Sequence, residues 1–275
     1  MQCTPEPPTK PSAVDAELEW LLGHSIPENI CLVGKHMAEI SFLKNAAGKR
    51  AADPSSQTSL LSDDGADVKG TAAVSGTSVT QLSLTLPSYG QTGQGATTVY
   101  MKKGETLPLK QAQDSQSYVK SALRQAQSMP KFDTREYALS FIERMLGDIQ
   151  RAKNILVADS QHGLMPLQSG TAEKFAPALP ENVVVECSLR ECNFVTRVYW
   201  LKFQRDAKST GILDAFTKEQ STGHMLVYNG RLAEVKKETV YEAALEDLQR
   251  NMACLDRAAG VCVDMVGQIH AFDCM

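Results

Sequence analysis

Apolar residues recur along this chain at two spacings, three or four residues apart in some stretches and every second residue in others. Ile26, Ile30, Val33, Met37 and Ile40 step by four, three, four and three, which keeps them on one side of an α-helix. Upstream, Ser12 suits an N-cap, Asp15 and Glu17 favour a helix N-terminus electrostatically, and Leu18, Trp20, Leu21 and Leu22 follow. Pro27 lacks a backbone donor, so a kink or restart is expected near Ser25, with Pro27 in the first turn of the new segment. Leu109, Ala112, Gln116, Val119, Leu123 and Ala126 make a second stripe over 108–128. Ala138, Ile142, Met145, Ile149, Ala152 and Leu156 make a third over 133–157, restarted after Met129-Pro130 with Asp133 or Thr134 as cap. A last helix is predicted from Thr239 to about Phe272, with Ala244, Leu248, Leu255, Ala259, Cys262, Val266 and Ile269 on one side. Such narrow seams suit packing of helix on helix.

Between these segments the period falls to two. Val79, Leu82, Leu84 and Leu86 are separated by Thr, Gln and Ser, so strands are predicted over 67–75 and 77–87 with a turn at Ser75-Gly76. Thr97 to Lys102 reads as a third strand. Val183, Val185, Cys187 and Leu189 alternate with more polar neighbours, and Phe194, Val198, Trp200 and Leu201 belong to a hairpin partner joined near Glu191–Asn193. Met225–Tyr228 and Leu232–Val235 flank Asn229-Gly230, a two-residue hairpin signal because both positions tolerate positive φ. Residues 46–66 lose periodicity and fill with Ser, Asp, Gly and Ala, the composition of a flexible linker.

The element order is thus helix, strands, two helices, strands, helix. The expected fold class is α+β: an elongated antiparallel helical bundle of about four long helices with an inserted small antiparallel β-domain. The bundle domain would be discontinuous, drawing on 12–46, 108–157 and 239–272, and the β-domain would pair 67–106 with 183–238. Residues 1–11 and 47–66 are expected to be flexible.

Composition narrows the function classes. A formal charge of -4, with 28 Lys and Arg against 32 Asp and Glu, offers no concentrated basic face, so nucleic acid is not an expected partner. No run approaches the roughly 20 uninterrupted apolar residues of a spanning helix, and the proline-rich start has no apolar core of signal-peptide length. Direct membrane insertion is therefore not expected. Seven cysteines at scattered positions are read as small hydrophobes in a reducing, cytoplasmic setting.

Catalytic chemistry finds little footing. No GxSxG context is present, and His24, His36, His162, His224 and His270 show neither HExxH nor a companion cysteine at ligand spacing. Cys187 and Cys192 lack the CxxC spacing of a redox pair. Gly90, Gly93 and Gly95 are not followed by the Lys-Ser/Thr and helix start that cradle phosphate. Asp63-Asp64 and the group Arg231, Lys236 and Lys237 are read as solvated faces. No catalytic, metal-binding or cofactor-binding residue is assigned, no cofactor is expected, and the chain is read as a non-enzyme. For Trp20 and Trp200, core packing is favoured over a role as interface anchors.

Several segments carry a resemblance. Glu17-Leu18-Glu19-Trp20-Leu21-Leu22, Asp67-Val68-Lys69-Gly70, Gln113-Asp114 with Val119, Gln150-Arg151-Ala152-Lys153-Asn154 and Phe175-Ala176-Pro177-Ala178-Leu179-Pro180 ahead of Val198-Tyr199 occur in an order that resembles the Rogdi family. These proteins relate to the small subunit of the fungal RAVE complex, and the likeness covers roughly residues 15–270. The hexapeptide Phe175–Pro180 is its most specific part. The resemblance implies a helical bundle with an inserted β-domain, a large WD-repeat rabconnectin-type subunit and V-ATPase peripheral-sector subunits as partners, and promotion of V-ATPase assembly. It further implies a cytoplasmic protein recruited peripherally to acidic organelle membranes. Trp20, Leu21, Leu22, Lys69, Gly70, Phe175, Ala176, Pro177, Ala178, Leu179 and Pro180 are the family-motif residues. A structural role is favoured for them, the two prolines of the hexapeptide stiffening the entry to Val183–Val185. The partner-binding surface is not assigned. The alternative reading is a self-associating helical adaptor unrelated to V-ATPase, since exposed helix seams also form homo-oligomers.

Overall fold

A computed structural model describes residues 13–40, 57–62, 68–86, 96–158, 171–204 and 225–272. Residues 1–11, most of 47–66, Asp63-Asp64 and the Gly90, Gly93 and Gly95 loop, all subjects of sequence expectations, lie wholly or mainly outside the described residues. The described helices are α1 (Ala13–Trp20), α2 (Ile26–Ala38), α3 (Lys110–Gln127), α4 (Arg135–Val157) and α5 (Glu246–Ala271). The strands are β1 (Gln57–Ser62), β2 (Val68–Ser75), β3 (Ser78–Leu86), β4 (Thr97–Met101), β5 (Leu107–Pro108), β6 (Phe175–Ala176), β7 (Val183–Arg190), β8 (Asn193–Phe203), β9 (Met225–Tyr228) and β10 (Arg231–Ala244). The chain divides into two compact units, one of residues 1–40, 117–153 and 251–275, the other of 41–116 and 154–250.

In the first, helical unit, a π-helical stretch, Leu21–Ser25, joins α1 to α2. This wider turn puts residues five apart on the same side, so buried Leu21 lines up with Ile26 and the fully buried stripe Ile30, Val33, Met37 and Ile40 continues from it. The helix restarts at Ile26 with Pro27 in its first turn, as its missing donor requires. A β-carbon at Gly34 would meet the Ala126 β-carbon at 3.4 Å, so α2 and α3 approach closely there. On α4, capped by Thr134 Oγ1 accepting from the Tyr137 N–H at 3.3 Å, all of the stripe from Ala138 to Leu156 is fully buried.

An acidic group interrupts that core. Asp148 on α4 is buried and accepts from Ser121 Oγ at 2.7 Å and Gln125 Nε2 at 2.8 Å, both on α3. At the periphery, Lys153 bonds Asp256 at 2.5 Å and Arg257 bonds Glu39 at 3.3 Å, tying α4 and α2 to α5.

In the second unit the described strands form one ten-stranded sheet in the order β6-β4-β3-β2-β1-β10-β8-β7, with β5 beside β3 and β9 beside β10. Every pairing is antiparallel. The three-residue step from Val79 to Leu82 breaks strict alternation, and a register shift opposite, between Ala73 and Val74, restores it so that both are buried. Gln111, at the start of α3, caps the β7 edge: its Oε1 accepts from the Leu189 N–H at 2.7 Å and its Nε2 donates to the Leu189 carbonyl at 2.9 Å. That satisfies an edge-strand residue on both backbone groups.

These findings correct the expected fold class. The chain is an α+β mix and not a helical bundle carrying a small inserted β-domain, because the sheet-bearing unit takes more of the chain than the helical one. Two segments make much of the difference. Residues 57–62, expected within a flexible linker, form β1, whose ladder to β2 and single pairing of Ser62 with Glu242 unite strands from the two halves of the sequence. Residues 239–244, expected as the first turns of the last helix, extend β10: Tyr241, Ala243 and Leu245 are buried in alternation, and the helix begins only at Glu246. Within α3, Ser115 and Ala122 are buried where Gln116 and Leu123 were expected. Within α5, Ala258 and Met265 replace Ala259 and Val266, each stripe having turned by one residue.

Candidate functional site

Strand β8 is buried without a break from Phe194 to Leu201, so its two faces cannot be told apart by polarity. Register separates them. Arg197 lies opposite Glu186 of β7 and Val240 of β10, Tyr199 opposite Val184 and Glu238, and Val195 opposite Ser188 and Glu242. Side chains in these rows share one face, which gathers Glu186, Ser188, Arg190, Arg197, Tyr199, Glu238 and Glu242 into a belt across three strands.

Arg197 is the centre of the belt, 1% exposed. Its Nη1 donates to Ser188 Oγ at 2.8 Å and its Nε lies 3.6 Å from Glu238 Oε1. Tyr199 Oη donates to Glu186 Oε2 at 3.1 Å, and Arg190 pairs with Glu242. Burial, then the negative charges of Glu186 and Glu238, push the Tyr199 phenol well above its ordinary range, so it remains a donor. On the opposite face the Cys187 thiol, 4.0 Å from Thr196 Oγ1, is pushed up to about 12, chiefly by burial. It is protonated at neutral pH and supplies no thiolate nucleophile. The belt's charges are directed at one another, which fixes strand register and leaves each group with a structural partner.

Beyond the belt the same face turns apolar: Val184, Tyr199, Leu201, Tyr228 and Ala233 form a buried cluster, with Phe203, Leu226 and Val235 against it. The Asn229-Gly230 turn that returns β9 to β10 has the positive φ values, 49° and 75°, anticipated for that dipeptide. Arg231 packs over the Phe203 ring at 4.2 Å and pairs with Glu181. The signal missed in the sequence was a lone arginine inside Phe194-Val195-Thr196-Arg197-Val198-Tyr199-Trp200-Leu201. A charge in a strand apolar on both faces requires acceptors on its neighbours.

Of the family-motif residues of this unit, Lys69, Gly70, Phe175 and Ala176 lie on strands and Pro177–Pro180 follow β6. Phe175 is fully buried and pairs with Met101; Ala176 pairs with Tyr100 and precedes a cis bond to Pro177. Leu179 is buried, while Ala176, Pro177, Ala178 and Pro180 are exposed. Lys69 and Gly70 lie on β2, and a β-carbon at Gly70 would collide with the Ser83 carbonyl oxygen of β3. Among the described residues no group of three or more His, Cys, Asp or Glu is placed to hold a metal ion.

Residues 17–251, most of the chain, match the family described as Rogdi leucine zipper containing protein. The chain belongs to the Rogdi family. The matched span contains every family-motif residue named above. No curated protein sequence matches the chain.

In this Rogdi protein the remaining motif residues, Trp20, Leu21 and Leu22, belong to the helical unit. Leu21 and Leu22 are buried, but Trp20 is 59% exposed, against the core role expected of it. The reason is angular: Leu18, Leu21 and Leu22 lie on the side leading into the core stripe, and position 20 points away from Leu18. Trp20 instead stacks on His24, with ring centroids 6.4 Å apart and planes 11° from parallel. Trp200, by contrast, is 3% exposed.

Proposed function

We propose that this Rogdi family protein is a non-enzymatic scaffold or adaptor of a RAVE/rabconnectin-like complex, which promotes V-ATPase assembly and through it the acidification of organelles. The family match over residues 17–251 is the observation that carries the reading. Two features support it. The buried charges of the β7–β8–β10 belt engage one another, and a tryptophan of the matched span is held out to solvent, the kind of side chain that anchors protein interfaces. No described helix is long and apolar enough to cross a membrane, which accords with action from the cytoplasm and peripheral recruitment through a partner.

The expected partners are a large WD-repeat rabconnectin-type subunit and peripheral-sector subunits of the pump. Affinity purification of the tagged full chain from its native cells, followed by mass spectrometry, tests this directly. Co-recovery of both classes is the expected result; the chain alone, or as a homo-oligomer without pump subunits, overturns it and favours a self-associating adaptor.

A further inference from the structure

Helix α1 has no buried residue, yet it carries Val14, Leu18 and Trp20. On one side of exposed Trp20 the neighbours at helical spacing are small, Ala13 seven residues before, Ala16 four before and Gly23 three after, all exposed, while Glu17 lies three before and His24, four after, stacks on the indole. A β-carbon at Gly23 would meet nothing within 4 Å, so the surface over Gly23 is open. Trp20 and His24 form a ridge beside the shallow strip of Ala13, Ala16 and Gly23, a shape that lets a second helix approach closely.

Charge selects the occupant. Asp15, Glu17 and Glu19 are exposed along α1, Glu28 follows on α2, and no Lys or Arg occurs from residue 13 to residue 34. A second copy docking through the same face would set acid against acid, whichever way it ran, and an anionic lipid surface would be repelled likewise. A helix with an apolar stripe flanked by Lys or Arg has the opposite potential and the matching shape.

We infer that the Trp20 face of α1 and the π-helical turn is a docking surface for a basic amphipathic helix of a partner protein, with Trp20 as its anchor. This rests on the adaptor reading above and names the partner chemistry that reading leaves open. Anchoring by the indole supplies affinity, and the acidic flanks supply orientation and rate of encounter.

Trp20 is exposed and Trp200 buried, so quenching of the native chain's emission by acrylamide reports on Trp20. The probe is a synthetic helix of about 18 residues, roughly five turns, with Leu on one face and Lys on its flanks. Its counterpart carries Glu in place of Lys. The Lys peptide is expected to shift Trp20 emission to the blue, protect it from acrylamide and bind less tightly as salt is added. By a label on the peptide, Trp20→Ala is expected to weaken binding about tenfold or more, the loss of a truncated anchor, and the pair Glu17→Lys and Glu19→Lys to weaken it too. Unchanged thermal melts of these variants show that the fold is intact. Binding that ignores Trp20→Ala, equal binding of the Glu peptide, or an equal blue shift on anionic phosphatidylserine vesicles overturns the inference. In the purification described above, a wild-type chain that brings down pump subunits while Trp20→Ala brings them down equally also overturns it and spares the adaptor reading. A wild-type chain that recovers no pump subunits removes the adaptor reading, whatever the peptide does.

Discussion

Among the described residues two charged side chains are buried, one in each unit, and their surroundings differ in kind. Asp148 sits at the seam of α3 and α4, where the neutral donors Ser121 and Gln125 meet its carboxylate and the Arg151 guanidinium, 3.6 Å away, is mostly in solvent. Arg197 lies within the most continuously buried strand and is met by acceptors from the strands on either side, Ser188 and Glu238. In the helical unit, full apolar stripes on α2 and α4 already determine how the helices face one another, so the polar group adds specificity to an arrangement set by packing. Strand β8 is buried on both faces, so hydrophobicity alone permits a one-residue slip, and the charged rows supply the penalty for it. Polar groups therefore carry more of the structural information in the sheet than in the helices.

The sharpest way to break that contrast is Arg197→Leu. It leaves Glu238 and Ser188 without their guanidinium and is expected to cost about 3 kcal/mol, the low end for a broken buried pair because Glu238 is partly open to water. A urea titration checks it, and a loss below about 1 kcal/mol, typical of an ordinary exposed pair, contradicts the role given to the belt. Next comes Gly70→Ala, whose β-carbon meets the Ser83 carbonyl. Displacing β2 from β3 is expected to cost about 2 kcal/mol by the same titration. Asp148→Ala leaves Ser121 and Gln125 without their acceptor and is expected to cost about 1 to 2 kcal/mol, less than Arg197→Leu; the reverse order would invert the comparison.

The smallest effect is a matter of pH. Burial pushes the Cys262 thiol of α5 from its ordinary 9.0 up to about 12. The folded chain thus holds this proton more tightly than the unfolded one, so the contribution is fully present below about pH 9 and is lost as pH rises toward 12. Cys262→Ala is expected to flatten that alkaline decline. In the native chain near neutral pH a thiol reagent is expected to modify exposed Cys31 and to reach Cys262 only after unfolding.

The same contrast explains what could be read beforehand. The stripes Ile26 to Ile40 and Ala138 to Leu156 were legible because a helix with one buried face writes its geometry into spacing. Smaller seams were less so: in α3 the buried Ser115 and Ala122 are no more apolar than the neighbours they displace. Strand β1, Gln-Thr-Ser-Leu-Leu-Ser, carries a polar composition that reads as linker, and only its partners β2 and β10 make it a strand. Residues 239–244 continue into a helical pattern with no proline or glycine to mark the change, so the boundary at Glu246 left little trace. Trp20 stands in solvent because its angular position on α1, and not its residue type, decides which way it faces. The register that gathers Arg197, Glu186 and Glu238 is a property of three strands and not of any one segment.

The proposed role in pump assembly is put to the test by deleting the chain in its native cells and measuring how much of the V-ATPase peripheral sector sediments with membranes. Peripheral subunits are expected to shift to the soluble fraction at unchanged total abundance and to return to membranes on re-expression. A membrane-bound fraction that does not change on deletion would contradict it.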